Sequence, residues 1–155
     1  MTSGERILLA HGAGGKLTRR LIEEEILTRL SSPILKRLDD GAVIAFDNRK
    51  LAYSTDSFVI DPIFFRGGDI GKLAINGTVN DIAMCGAIPM YLTTSLIIEE
   101  GCQLDDLRRI LNSMRDAAEE ADGEVVAGDT KVVSAGSADK IFINTSGIGV
   151  VEKEV

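Results

Sequence analysis

The chain has 155 residues and is 45% hydrophobic, 26% charged and 5% aromatic. That suits one domain burying roughly 68–70% of its unfolded surface, and it excludes a disordered or collagen-like chain. Lys plus Arg number 17 and Asp plus Glu 24, a net charge of −7, with no Trp. Such a balance argues against nucleic acid and anionic membrane as partners. A polyanion binds here only where a divalent cation or backbone amides neutralise it.

In chain order, residues 5–10 are a short apolar run, read as a strand, that ends in His11-Gly12-Ala13-Gly14-Gly15. A helix is predicted over 17–30, with Leu17, Leu21, Ile22, Ile26 and Leu30 in one stripe. Two short strands, 43–46 and 51–56, flank an Asp47-Asn48-Arg49 turn, and 57–68 reads as a loop. A helix over 69–85 places Ile70, Leu73, Ala74, Ile82 and Ala83 on a buried flank, and Gly86 and Pro89 stop it. Residues 90–98 look like a buried strand. The clearest helix is 104–122, lined by Leu104, Leu107, Ile110, Leu111, Met114, Ala118 and Ala121, with Gly123 as its stop. Strands 124–133 and 140–151 follow. Strands and helices do not alternate strictly, so the expected fold is α/β of the α+β kind: a mixed, mostly antiparallel sheet covered by helices. The chain ends straight after a strand, as one cut at a domain boundary does, and a single domain over 1–155 is expected.

Cys85 and Cys102 have no metal-binding spacing and are too few for a disulfide scaffold. No run of roughly 18 apolar residues is present, and the opening residues lack the plan of a secretory signal. These features predict a reduced, cytoplasmic protein.

The glycine loop fits neither phosphate motif. Gly15-Lys16 is followed by Leu17 and position 10 is Ala, which fails a P-loop; no third glycine completes a dinucleotide fingerprint. Gly12, Gly14 and Gly15 remain either a strand-to-helix turn or an anion-attracting helix start, with Lys16 beside it. His11, the one histidine, has no implied catalytic partner. Carboxylates say more. Asp56 ends a strand, Asp81 follows Asn80 on a helix, and Asp129 follows a strand in Gly128-Asp-Thr-Lys131. Three separate caps and turns would account for them. So would a shared Mg²⁺, which takes oxygen ligands and keeps phosphates and waters in its shell. Lys72, Asn76 and Asn80 fall at i, i+4 and i+8, a polar stripe typical of a lined cleft. Gly77, costing about 1 kcal/mol relative to Ala, marks a close backbone approach. Lys131 shares a strand face with Asp129, either to meet a phosphate or as a surface ion pair.

The ordered set Leu9-Ala-His-Gly-Ala-Gly-Gly15, Thr55-Asp56-Ser57-Phe58-Val59-Ile60-Asp61-Pro62, Gly68-Asp-Ile-Gly-Lys-Leu-Ala-Ile-Asn-Gly-Thr-Val-Asn-Asp81, Gly86-Ala-Ile-Pro89, Gly128-Asp-Thr-Lys-Val-Val133 and Asp139-Lys-Ile-Phe-Ile-Asn-Thr145 spans nearly the whole chain. It resembles the N-terminal ATP-binding domain of the aminoimidazole-ribonucleotide-synthetase superfamily, most closely its [NiFe]-hydrogenase maturation branch. The resemblance implies Mg²⁺ and ATP bound where the N-terminal domains of a homodimer meet, their sheets forming a barrel. It assigns Asp56, Asp81 and Asp129 to metal and phosphates, Asn80 to the adjoining polar position and Lys131 to a phosphate. It implies a full-length carbamoyl dehydratase that uses ATP to turn a thiocarboxamide on its C-terminal cysteine into a thiocyanate, the source of cyanide ligands. Its partners would be a carbamoyl-transferring maturation protein and an iron-scaffold complex. The branch's second domain and terminal cysteine have no counterpart in these residues, so no catalytic residue is expected here and the chain alone should be inactive. The rival readings are a thiamine-monophosphate kinase or selenophosphate synthetase relative, and a non-catalytic dimerisation module.

Overall fold

The computed structural model describes residues 6–30 and 32–152; the start of the apolar run at residue 5 and the tail from 153 lie outside them. The chain divides into two compact units, one up to Asp39 and one from Asp40 onward, where its length alone suggests one.

In the first unit the strand expected at 5–10 does not form among the described residues, and a 3-10 turn at Leu9–Gly12 stands in its place. Ile7, Leu8 and Leu9 are exposed. An apolar run with neither cover nor a neighbouring strand for its backbone groups has no reason to extend. The helix expected over 17–30 is shorter and less regular: α1 (Lys16–Leu21) passes into a π-helical turn at Ile22–Ile26. Exposed ion pairs Arg19–Glu23, Arg20–Glu24 and Arg29–Glu25 lace its wet side. Leu17, Ile26 and Leu30 of the apolar stripe stay exposed.

The second unit runs β1 (Ala42–Phe46), β2 (Arg49–Phe58), the two-residue strands β3 (Phe64–Phe65) and β4 (Gly68–Asp69), α2 (Ile70–Met84), β5 (Ala87–Glu99), α3 (Leu104–Glu120), β6 (Glu124–Val133) and β7 (Ile141–Val151). Its main sheet has the order β1-β2-β7-β5-β6, with every pair antiparallel except β5–β6. The mixed, mostly antiparallel sheet expected from the sequence is what forms.

Helices α2 and α3 cover one face. Ile70, Ala74 and Ile75 of α2 and Ile110 and Met114 of α3 pack onto Leu92, Leu96, Ile141 and Ile143. Each such isoleucine stabilises by roughly 1.5–3 kcal/mol on burial. Leu73, Leu104 and Leu111, expected inside, lie outside this contact. Strand β7 alternates strictly, its odd-numbered residues from Ile141 to Gly149 buried and the even ones between them only half-buried. On the other face Tyr53, Tyr91 and Ile97 are exposed. We call these the covered and the open face.

Three local differences have simple causes. Asp69 caps α2, its Oδ1 accepting the N–H groups of Gly71 and Lys72, and the β3–β4 hairpin within the expected loop aims it there. Strand β5 starts at Ala87 and carries Pro89 at a bulge, where a missing N–H is tolerated. The left-handed residue ending α3 is Asp122, not Gly123. The N–H of Gly123 still closes the turn on the Ala118 carbonyl at 2.9 Å. Among the described residues no helix is long and apolar enough to cross a membrane.

Candidate functional site

Along β2, side chains alternate between faces, so Ser54, Asp56 and Phe58 go to the covered side and Thr55 and Ser57 to the open one. The register agrees: Asp56 stands opposite Thr145, which is fully buried, and Ser57 opposite the half-buried Asn144. Beyond Tyr53, β1 no longer flanks β2, and residues 54–58 pair with β7 alone.

On the covered side this stretch lies against the middle of α2. A Cβ on Gly77 would come within 2.7 Å of the Phe58 ring and 3.7 Å of Asp56 Oδ2. The glycine is therefore the close approach that its unfavourable helix propensity signals. Asp81, one turn further, shares that side of the helix, and its Oδ2 accepts a hydrogen bond from buried Ser54 Oγ at 2.9 Å. Burial pushes the Asp81 carboxyl above its ordinary value, and the carboxylates of Asp56 and Asp40 add to that, while the Ser54 hydroxyl pulls the other way. Asn80, Asn76 and Lys72 are exposed along the helix, as a cleft-lining stripe requires. The donor set, two carboxylates with a hydroxyl steadying one of them, fits Mg²⁺, which usually takes one or two protein carboxylates and completes its shell with phosphates and water.

Asp129 and Lys131 lie elsewhere. Ser57, Asn144, Ser95 and Asp129 are successive cross-strand partners, so they form one row on the open face, with Asp129 on the edge strand β6. Lys131 Nζ donates to Asp129 Oδ1 at 2.9 Å, and both side chains are largely exposed. That bond, together with the Thr130 N–H, holds the Asp129 carboxyl below its usual range. Strand parity thus parts Asp129 from Asp56 and Asp81. Among the described residues no three His, Cys, Asp or Glu side chains converge as a metal-binding group. One chain by itself does not bring the three carboxylates to one point.

Gly12, Gly14 and Gly15 belong to the first unit. Gly14 takes φ +75°, its N–H is accepted by Thr18 Oγ1 at 2.9 Å, and a Cβ on any of the three would meet nothing within 4 Å. His11 is buried, and its Nδ1 accepts the Leu8 N–H at 3.0 Å, a structural use. Cys85 caps the end of α2. The residues that motif reading passed over are Ser54, Asn144 and Thr145. Counting by two from Asp56 finds the first, but only the register of β7 finds the others.

The profile of the family described as AIR synthase related protein, N-terminal domain, matches residues 38–151. Carbamoyl dehydratase HypE of Escherichia coli (strain K12) is 45% identical over 154 residues, 96% of this chain and 46% of that protein. A solved structure of hydrogenase maturation protein HypE in complex with ATP is 50% identical, with a TM-score of 0.67 over 96% of this chain and 44% of the other. A HypE–HypF complex gives 50% identity and a TM-score of 0.80 over 86% of this chain and 43% of the other. The chain spans a little under half the length of the curated relatives it matches.

Proposed function

The chain belongs to the AIR synthase related protein N-terminal domain family, and from that premise we propose that it is the Mg²⁺- and ATP-binding, dimerising part of a hydrogenase maturation factor of the HypE kind. The observation that carries this reading is the Asp56–Ser54–Asp81 cluster. Asp81 on α2 and Asp56 on the strand beside it face one turn of that helix, tied together through Ser54, and burial, with Asp56 and Asp40 adding to it, raises the protonation range of Asp81. A cation would offset the charge gathered there. When bound, Mg²⁺ supplies charge neutralisation for the phosphates of the nucleotide.

In this reading Asp56 and Asp81 hold the metal, Ser54 orients Asp81, and Asn80 lines the cleft beside them. The open faces of two copies pair as a barrel, which gives cover to Tyr53, Tyr91 and Ile97. Asp129 and Lys131, on the open face of one copy, then serve the phosphate end of the other copy's cleft. Gly12, Gly14 and Gly15 keep the nucleotide-contacting role that the resemblance implies. The whole protein would use ATP to dehydrate a cysteine-borne thiocarboxamide to a thiocyanate, releasing ADP, phosphate and a proton. It would work with a carbamoyl-transferring protein such as HypF and an iron-scaffold complex.

Calorimetric titration of the chain with ATP, with and without Mg²⁺, tests the reading. Mg²⁺-dependent binding, lost in Asp56→Asn at unchanged melting temperature, supports it. Equal binding or silence under both conditions overturns it for this chain. Self-association without nucleotide binding would leave a dimerisation module.

A further inference from the structure

We propose that Asn144 and Thr145 are positioning residues for the carboxylate pair: from adjacent places in β7 they grip, on opposite faces of the sheet, the strand that carries Asp56 and the helix that carries Asp81. This rests on the reading of Asp56 and Asp81 as the metal-holding pair.

On the open face, the Asn144 amide donates from Nδ2 to the backbone carbonyl of Asp56 at 2.9 Å and to Ser57 Oγ at 3.0 Å. Among the described residues that stretch of β2 has β7 as its one strand neighbour, so a side-chain grip matters there more than it would inside the sheet. On the covered face, Thr145 Oγ1 donates to the Ala74 carbonyl of α2 at 2.9 Å and stands 2.6 Å from Thr78 Oγ1. A hydroxyl has one proton. With Thr145's spent on Ala74, Thr78 is the donor between the two, giving a relay Thr78→Thr145→Ala74 that closes on one turn of α2. Thr78 and Thr145 are fully buried, where an unmet hydroxyl is costly and the geometry is correspondingly fixed.

The turn held by this relay leads directly into Gly77 and Asp81. Two neighbouring residues therefore set where each carboxylate sits: Asn144 through the backbone of Asp56, Thr145 through the helix bearing Asp81. In this reading neither is assigned to hold the metal or the nucleotide. Their part is that of groups behind a ligand shell, whose loss typically costs about 10–100-fold in metal affinity.

The test uses the 155-residue chain and two probes, ATP alone and ATP with Mg²⁺, on Asn144→Ala, Thr145→Val and Thr145→Ser. Calorimetry gives the two affinities, and circular dichroism checks the fold. The expected result is a fall of about tenfold or more in the Mg²⁺ enhancement of binding for Asn144→Ala and Thr145→Val, with the metal-free affinity little changed. Thr145→Ser, which keeps the hydroxyl, should restore the enhancement. A purely structural role moves the melting temperature and leaves the enhancement alone, and that outcome overturns the proposal. If Thr145→Val fails to fold, Asn144→Ala and Thr145→Ser decide. A wild-type chain with no Mg²⁺ enhancement overturns the functional reading and this inference together; normal wild-type enhancement with unaffected variants overturns this inference alone.

Discussion

The two faces of the central sheet are made by the same strands and differ in almost everything else. The covered face is closed by α2 and α3, and of its polar groups Ser54, Thr78, Thr145 and Asp81 are hydrogen-bonded to one another or to the helix backbone. The open face carries tyrosines and isoleucines in solvent, and its charges pair with one another, as Lys131 does with Asp129. Alternation along each strand feeds both faces, so a carboxylate's position in the sequence by one residue decides which environment it meets. Asp56 and Asp129 stand on cross-strand rows one apart, and one serves the helix side while the other faces out.

The largest test of this contrast is packing. Ile75→Ala, under α2, is expected to cost about 2–5 kcal/mol in denaturant unfolding, whereas Ile97→Ala on the open face should stay within about 0.5 kcal/mol when measured on dilute monomer. Equal costs would mean that the open face is covered even in the isolated chain. A smaller effect comes from Thr94, whose hydroxyl oxygen is buried on the covered side without a partner among the described residues. Thr94→Val should raise stability by about 1 kcal/mol, read from the shift in the unfolding midpoint.

The mildest test is electrostatic and has opposite signs. Asp81, its protonation range raised by burial and neighbouring carboxylates, favours the folded state most below the ordinary carboxylate range. That advantage is lost as pH rises through its elevated folded value. Asp81→Asn should therefore flatten the decline in stability as pH rises above the ordinary carboxylate range. Glu99 behaves the other way. Its carboxylate accepts the N–H groups of Gly136 and Lys140, which lower its protonation range. Its contribution is present above the ordinary value and disappears as pH falls through the depressed one, so Glu99→Gln should flatten the acid limb. Thermal melts across pH separate the two.

Periodicity exposed the sheet, α2 and α3, because a buried face imprints its period on the residues that make it. The same signal misled in the first unit. The stripe of Leu17, Ile26 and Leu30 has helical spacing, but α1 yields to a π-helical turn and the stripe stays exposed. At the site, the close approach at Gly77 was legible from residue type and place, whereas Asp56 and Asp81 read equally as caps until the resemblance singled them out. The separation of Asp129 was not legible, since its face depends on a register set by strands far apart in the chain. Asn144 and Thr145 stood in a quoted motif, but their contacts were hidden for the same reason: an Asn-Thr pair in a strand has no assignable role until its two neighbours are known.

Among the described residues the strand stretch bearing Asp56 has one flanking strand, and the residue that grips it lies 88 positions later. Order of synthesis follows from that separation. A nascent chain halted before Ile141 already contains both carboxylates, Gly77 and the whole of α2, yet lacks the strand with which residues 54–58 pair. Such long-range pairings form late because the intervening loop must close first. The wall of the cleft formed by β2 is therefore expected to close last, once β7 pairs between β2 and β5, and a product truncated before β7 carries both carboxylates without the strand that aligns them.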